Sequence, residues 1–140
     1  MRYLNKIVFI NSAAIRYSEV QLDGNIHLIG TQGVGKSTIL RAILFFYNAD
    51  TQRLGIPVEK KSYQDYYFPY ADSSIIYEVA REDGWFTVLS YKTMNRICYR
   101  FIASPYRSDL FIDEEGAPYP SDRIRSVLDK NGIKYSGAIS

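Results

Sequence analysis

A phosphate-binding pattern lies near the amino terminus and consists of Gly30, Thr31, Gln32, Gly33, Val34, Gly35, Lys36, Ser37 and Thr38. Its spacing is G-x-x-x-x-G-K-[ST], in which glycines let backbone N–H groups point inward at phosphate oxygens. The ammonium group of Lys36 would bind the β- and γ-phosphates, and the hydroxyl of Ser37 would ligate Mg²⁺. We therefore predict that these nine residues bind ATP and that Ser37 is the metal ligand.

The sequence around this loop has the pattern of a strand before it and a helix after it. Residues 25–29 are a short apolar run that follows the turn signal Asp23-Gly24, and they predict a strand. A helix is predicted from about Lys36 to near Asn48. It is nearly all apolar and therefore buried, through Ile39, Leu40, Ala42, Ile43, Leu44, Phe45, Phe46 and Tyr47.

The composition fits one ordinary domain. The chain has 140 residues, of which 46% are hydrophobic, and its formal net charge of +2 indicates no dominant electrostatic partner. Cys98 is the only cysteine, so it cannot form an internal disulfide, which suits a reducing compartment. The sequence has neither a signal-peptide core nor an apolar run of membrane-span length. We expect a cytoplasmic protein that does not enter a membrane.

Strands also flank the phosphate-binding segment on both sides. They are predicted at residues 1–10, 15–22, 74–81, 85–92 and 96–103. The last three are joined by short turns and must therefore pair antiparallel. A final helix is predicted with Ser121 as its N-cap and Lys130 as its last residue, closed by Asn131-Gly132.

The run IHLIGTQGVGKSTILRAIL, residues 26–44, resembles the start of an SMC/RecF-type head domain. Such heads are ATPases of the ABC superfamily. The resemblance implies an α/β fold of the P-loop NTPase class, ABC/SMC head type, in which an antiparallel β-subdomain lies beside the P-loop strand and helix. By this resemblance, residues 1–140 are the N-terminal ATP-binding lobe of a longer protein.

The same resemblance implies roles for individual residues. Lys36 would bind the β- and γ-phosphates, Ser37 would bind Mg²⁺ and Thr38 would contact the α-phosphate. Backbone amides of residues 33–37 would surround the β-phosphate. Thr31 and Gln32 stand where this group often has proline and asparagine, which leaves phosphate binding undisturbed.

The partners implied by the resemblance are a C-terminal lobe and a second ATPase head, in a homo- or heterodimer. The full-length protein would act on DNA in maintenance, repair, or plasmid or phage defence. We find neither an LSGG-type signature motif nor a glutamine loop in residues 1–140. ATP hydrolysis is therefore expected only of the full-length protein.

Two alternatives remain open. A ParA/MinD-type ATPase has a similar loop, but that group carries a lysine where this chain has Thr31, and it alternates parallel strands with helices. The second alternative is a non-hydrolysing module that uses nucleotide for interaction or for stability. Measured ATP turnover by the full-length protein separates this module from an ATPase.

One segment imitates a Walker B strand, the catalytic strand that ends in Asp-Glu. It runs through residues 110–114 and ends in Asp113 and Glu114. A Walker B strand is fully buried, whereas a turn at residues 115–118 follows here at once. We therefore interpret the segment as a surface hairpin.

The remaining polar and aromatic residues favour structural interpretations. His27 is the only histidine and is expected to be structural, and Cys98 is expected in the core. The aromatic run at residues 63–70 is expected to cover the core or to meet a partner domain rather than to stack on bases. A solvated, mixed-charge surface is expected for Arg96, Arg100, Arg107, Arg123 and Arg125.

Overall fold

The computed structural model describes residues 3–12, 15–22, 42–43, 66–93 and 96–137. Within these ranges the strands are β1 (Tyr3–Ser12), β2 (Ile15–Gln21), β3 (Ser74–Arg81), β4 (Gly84–Thr93) and β5 (Arg96–Ile102). A 3₁₀ turn at Ser108–Leu110 and the helix α1 (Ser121–Lys130) follow. The strands form one antiparallel sheet in the order β2-β1-β3-β4-β5.

Strand β1 is antiparallel to both of its neighbours, β2 and β3. Its residue Ile7 lies opposite Val20 on one side and opposite Tyr77 on the other. The register shifts between Leu4 and Lys6, which marks a bulge in the pairing with β3. This arrangement places β3 in the middle of the sheet, where it is buried along nearly its whole length.

Each face of the sheet carries its own hydrophobic cluster, because side chains alternate between faces along a strand. Face A is the side with Ile7, Phe9, Ile75, Tyr77 and Val88, and its cluster includes Ala42, Ile43, Tyr67 and Phe68. Face B is the side with Val8, Ile10, Ile76, Leu89 and Ile102, and it is covered by Tyr106, Leu110, Phe111, Ile124 and Leu128. The sheet is thus the middle layer of the described structure.

Helix α1 packs on face B through Ile124 and Leu128. Its N-cap is Pro120 and not Ser121, so the predicted cap was wrong by one residue. Pro120 has extended backbone angles, and its carbonyl accepts the helical hydrogen bond from Ile124 N–H at 3.0 Å. An N-cap residue has this non-helical geometry, and the fixed φ of proline is compatible with it.

The predicted strands are confirmed where the structure describes them. Four of them agree within one residue, and β1 continues two residues beyond the predicted end at residue 10, while residues 1 and 2 lie outside the described residues. The predicted strand at residues 25–29 lies outside the described residues, as does the helix at 36–48 except for Ala42 and Ile43, which are helical. The assignment to the P-loop NTPase class therefore stays a prediction.

Candidate functional site

The predicted phosphate-binding residues 30–38, including Lys36 and Ser37, lie outside the described residues. The described residues that follow them most closely in sequence are Ala42 and Ile43. Their surroundings show how the segment after the loop attaches to the sheet.

Ala42 and Ile43 are helical and packed against face A of the sheet. Their exposed fractions are 0% and 1%, and they share a cluster with Tyr67 and Phe68. The hydroxyl of Tyr77 donates a hydrogen bond to the backbone carbonyl of Ala42 at 3.1 Å. The chain is therefore fixed to β3 four residues after the last residue of the predicted loop, Thr38.

Tyr77 is held in place by its own surroundings. The side chain is fully buried within the cluster of face A. On the neighbouring strand β4, the Ser90 hydroxyl donates to the carbonyl of Ile75 at 2.7 Å. Burial raises the pKa of the Tyr77 hydroxyl well above its ordinary value. The hydroxyl therefore keeps its proton at physiological pH and remains a donor to Ala42.

The segment that imitates a Walker B strand forms a surface turn, as predicted. Phe111 is buried on face B, and Ile112 pairs with Pro118 across a short bridge. Oδ1 of Asp113 accepts hydrogen bonds from two backbone N–H groups, those of Glu115 and Ala117, each at 2.9 Å. Asp113 thus stabilises its own turn, an arrangement typical of an Asx turn.

This turn and the helical residues that follow the predicted loop belong to segments packed on opposite faces of the sheet. Phe111, two residues before Asp113, is packed on face B, whereas Ala42 and Ile43 are packed on face A. The sheet therefore lies between the two packed segments. Glu114 is exposed to solvent beside the turn.

A groove of about 790 Å³ between β2 and α1 was not anticipated from the sequence. Tyr17 and Glu19 line its sheet side, and Arg123 and Lys130 line its helix side. The Tyr17 hydroxyl donates to Glu19 at 2.6 Å and lies 2.7 Å from the hydroxyl of Tyr106. Burial and the bond to Glu19 raise the pKa of Tyr17 above its ordinary value. These phenols are neutral and act as hydrogen-bonding groups rather than as bases.

No local pattern in the sequence could have revealed this pair of tyrosines. Tyr17 and Tyr106 are 89 residues apart, and they meet because β2 forms an edge of the sheet next to the segment that covers face B. Lys6 lies beside these tyrosines. Its Nζ is 3.4 Å from Oε1 of Glu19 and 5.5 Å from the centre of the Tyr106 ring.

Two of the five arginines that were predicted to lie on a solvated, mixed-charge surface have partners within the chain. Arg100 is only 6% exposed, donates to the carbonyl of Ser136 at 2.7 Å and lies over the ring of Tyr135. Arg107 forms an ion pair with Asp109 at 2.7 Å. The exposed ion pair of Arg107 agrees with the predicted solvated surface, whereas for Arg100 that prediction was wrong, because its guanidinium is buried and engaged within the chain.

The aromatic and cysteine predictions have clear outcomes. Tyr67 and Phe68 are buried on face A, which confirms that this part of the aromatic run covers the core. Tyr66 and Tyr70 are 47% and 65% exposed. Cys98 is buried in β5, as predicted. His27 lies outside the described residues.

In the part of the chain that the structure describes, no group of three or more His, Cys, Asp and Glu side chains is arranged to hold a metal ion. The same residues include no helix with the length and apolar character needed to cross a membrane. Ser37, the predicted metal ligand, lies outside the described residues.

Comparison with known proteins identifies a family. The sequence profile of the family described as "Protein of unknown function (DUF3584)" matches residues 11–140. The searches of curated proteins and of solved structures gave no match. Because the matched range covers nearly the whole sequence, the chain belongs to the DUF3584 family.

Proposed function

We propose that the chain binds ATP with Mg²⁺ through residues 30–38, as the N-terminal lobe of an SMC/RecF-like ATPase head. The observation that carries this proposal is the complete phosphate-loop pattern, with glycines at positions 30, 33 and 35 followed by Lys36 and Ser37. The donor set suits the nucleotide, since N–H groups and an ammonium bind phosphate oxygens and a hydroxyl is an oxygen ligand for Mg²⁺.

The fold supports this reading over the ParA/MinD-type alternative. The described strands form an antiparallel sheet, whereas the alternative alternates parallel strands with helices. Ala42 and Ile43 are helical and fully packed on face A, as expected of the buried helix that follows a phosphate-binding loop. A helix in that position directs the positive end of its dipole towards bound phosphate.

Each loop residue would have a distinct task. Lys36 would neutralise charge on the β- and γ-phosphates, Thr38 would contact the α-phosphate, and amides of residues 33–37 would hold the β-phosphate. Ser37 would orient the metal through its hydroxyl oxygen. The bond that an SMC-like head hydrolyses would be a phosphoanhydride bond of the bound nucleotide.

We propose that ATP hydrolysis by this chain depends on residues of other protein segments. Oδ1 of Asp113 is occupied by two backbone N–H groups of its own turn, and this turn follows Phe111, which is packed on the face opposite to Ala42. A water-positioning carboxylate would come from a C-terminal lobe, and a second head would complete the site in a dimer that acts on DNA. The arrangement of Asp113 also favours, as a second candidate, a module that binds nucleotide without hydrolysing it.

Calorimetric titration with ATP and MgCl₂ tests the binding proposal. Replacing Lys36 with alanine removes a charge-assisted contact and is expected to weaken binding by about 1.5–3 kcal/mol, or roughly ten- to a hundredfold. Lys130→Ala is a matched control, because Lys130 is an exposed lysine of α1, the helix that packs on face B. Equal affinity of the wild type and Lys36→Ala would overturn the assignment.

A further inference from the structure

We propose that Tyr77 is a positioning residue for the phosphate-binding loop, acting through its hydrogen bond to the carbonyl of Ala42. This inference rests on the proposed nucleotide site at residues 30–38. Tyr77 lies in the middle of the sheet, and no feature of the loop sequence indicates that it affects nucleotide affinity. Tyr77 is not expected to touch the nucleotide.

The contact joins a rigid strand to the segment that follows the loop. Tyr77 lies on β3, which is paired to β1 on one side and to β4 on the other. Its hydroxyl donates to the carbonyl of Ala42 at 3.1 Å, and all the atoms concerned are buried. The donor therefore belongs to a strand that is paired on both sides, and its side chain is enclosed by the core of face A.

A hydrogen bond fixes a helix more narrowly than apolar packing does. The packing of Ala42 and Ile43 against Phe68 and its neighbours opposes separation from the sheet. A hydrogen bond also restricts sliding and rotation, because it weakens steeply outside a narrow range of distance and angle. Tyr77 thus sets the axial position of the segment relative to face A.

That position matters for the loop because the two are close in sequence. Ala42 follows Lys36 by six residues and Ser37 by five. In the helix predicted from about Lys36, six residues would correspond to about 9 Å along the axis. A shift of the helix would be passed on to the Lys36 ammonium and the Ser37 hydroxyl, whose contacts with phosphate and Mg²⁺ require separations of about 2–3 Å.

The neighbouring strand β4 supports β3 at this point. Val88 of β4 lies opposite Tyr77, and the Ser90 hydroxyl of β4 donates to the carbonyl of Ile75 at 2.7 Å. Strand β3 is therefore tied to β4 beside Tyr77 by a side-chain hydrogen bond in addition to the backbone pairing.

The test compares two single-atom deletions by titrating the chain with ATP and MgCl₂. Tyr77→Phe removes the hydroxyl that contacts Ala42. Tyr106→Phe is the matched control, since it removes a mostly buried tyrosine hydroxyl, bonded to Tyr17 at 2.7 Å, from face B. Dissociation constants are measured well below the unfolding temperature of each variant, so that every sample is folded. We expect Tyr77→Phe to raise the dissociation constant about three- to tenfold and Tyr106→Phe to leave it unchanged.

Three outcomes would overturn the inference, and they have different meanings. If both variants unfold at lower temperature but bind nucleotide as the wild type does, Tyr77 has a structural role only. If both variants lose the same affinity for ATP, removal of either buried hydroxyl weakens binding and the effect is not specific to Tyr77. If the wild type does not bind ATP at all, the proposed function fails and this inference fails with it.

Discussion

The carboxylate of Glu78, on the central strand β3, accepts a hydrogen bond of 2.7 Å from the backbone N–H of Tyr106, 28 residues further along the chain. Its other oxygen accepts from the side-chain amide of Asn5 at 2.7 Å. Glu78 is 6% exposed. This buried carboxylate, with its two donors, fixes the start of the segment from Tyr106 that covers face B. The hydroxyl of Thr87 holds the same region by donating a hydrogen bond to the carbonyl of Ser104.

Replacing Glu78 should therefore destabilise the fold to a degree that depends on the replacement. Glu78→Ala leaves two donors unsatisfied, and we expect a loss of about 2–4 kcal/mol in the free energy of unfolding. Glu78→Gln keeps one acceptor oxygen and should lose about 1 kcal/mol. Urea titrations followed by circular dichroism measure both. A smaller loss for alanine than for glutamine would contradict the assigned role.

The hydroxyl of Tyr106 should make stability depend on pH in the alkaline range. Burial raises its pKa from 10.0 to about 12. Because this pKa is higher in the folded than in the unfolded state, the protonated hydroxyl contributes fully to the free energy of unfolding below pH 10. This contribution is lost as pH rises towards 12. Between pH 10 and 12, the free energy of unfolding of the wild type should fall by up to about 1.4 kcal/mol per pH unit more than that of Tyr106→Phe. Unfolding free energies at pH 8, 10 and 11 give the comparison, and parallel curves would exclude the effect.

The glycine that ends helix α1 offers a test of backbone conformation alone. Gly132 has φ of +69°, and a Cβ atom placed on it would meet no atom within 4 Å. Gly132→Ala should therefore cost about 1 kcal/mol for conformational reasons, or about 3 °C in the unfolding temperature. Gly132→Asn is the control with a smaller expected loss, because asparagine tolerates this conformation better. Equal temperatures for glycine and alanine would contradict the explanation.

Asp113 and Glu114 should differ in their effect on the chain, and neither should act in catalysis. Asp113→Ala removes an acceptor from two backbone N–H groups and should cost about 1–2 kcal/mol of stability. Glu114→Gln should change neither stability nor ATP turnover, which we expect to be negligible for residues 1–140. A phosphate-release assay measures turnover. Robust turnover that Glu114→Gln abolishes would make the segment a true Walker B strand.

The sequence was most informative where structure depends on neighbouring residues. The short turn predicted between the strands at 74–81 and 85–92 is the hairpin turn between β3 and β4, and Gly84 has the positive φ that such a turn uses. The predicted end of the last helix is confirmed as well, since the helix ends at Lys130 with Asn131 as its C-cap. These features arise from local backbone preferences and from periodicity, both of which are visible in a short window.

Features that depend on distant partners could not be predicted in this way. A glutamate in the middle of a strand gives no sign that it will be buried, since its partners Asn5 and Tyr106 lie far from it in sequence. The bond between Tyr77 and Ala42 joins residues 35 positions apart. Such contacts follow from strand order and register, which the periodicity of a single strand does not determine.

The strand order has a consequence for how the chain folds. Since β1 is antiparallel to both β2 and β3, these two strands run in the same direction, and the chain between them, residues 22–73, crosses from one side of β1 to the other. Ala42 and Ile43, which belong to this connection, are packed on face A. The hairpin β1–β2 and the meander β3–β4–β5 can each form locally, but their pairing requires closure of that long connection. We therefore expect Ala42 to dock beneath Tyr77 in the late, slow step of folding in which β1 pairs with β3.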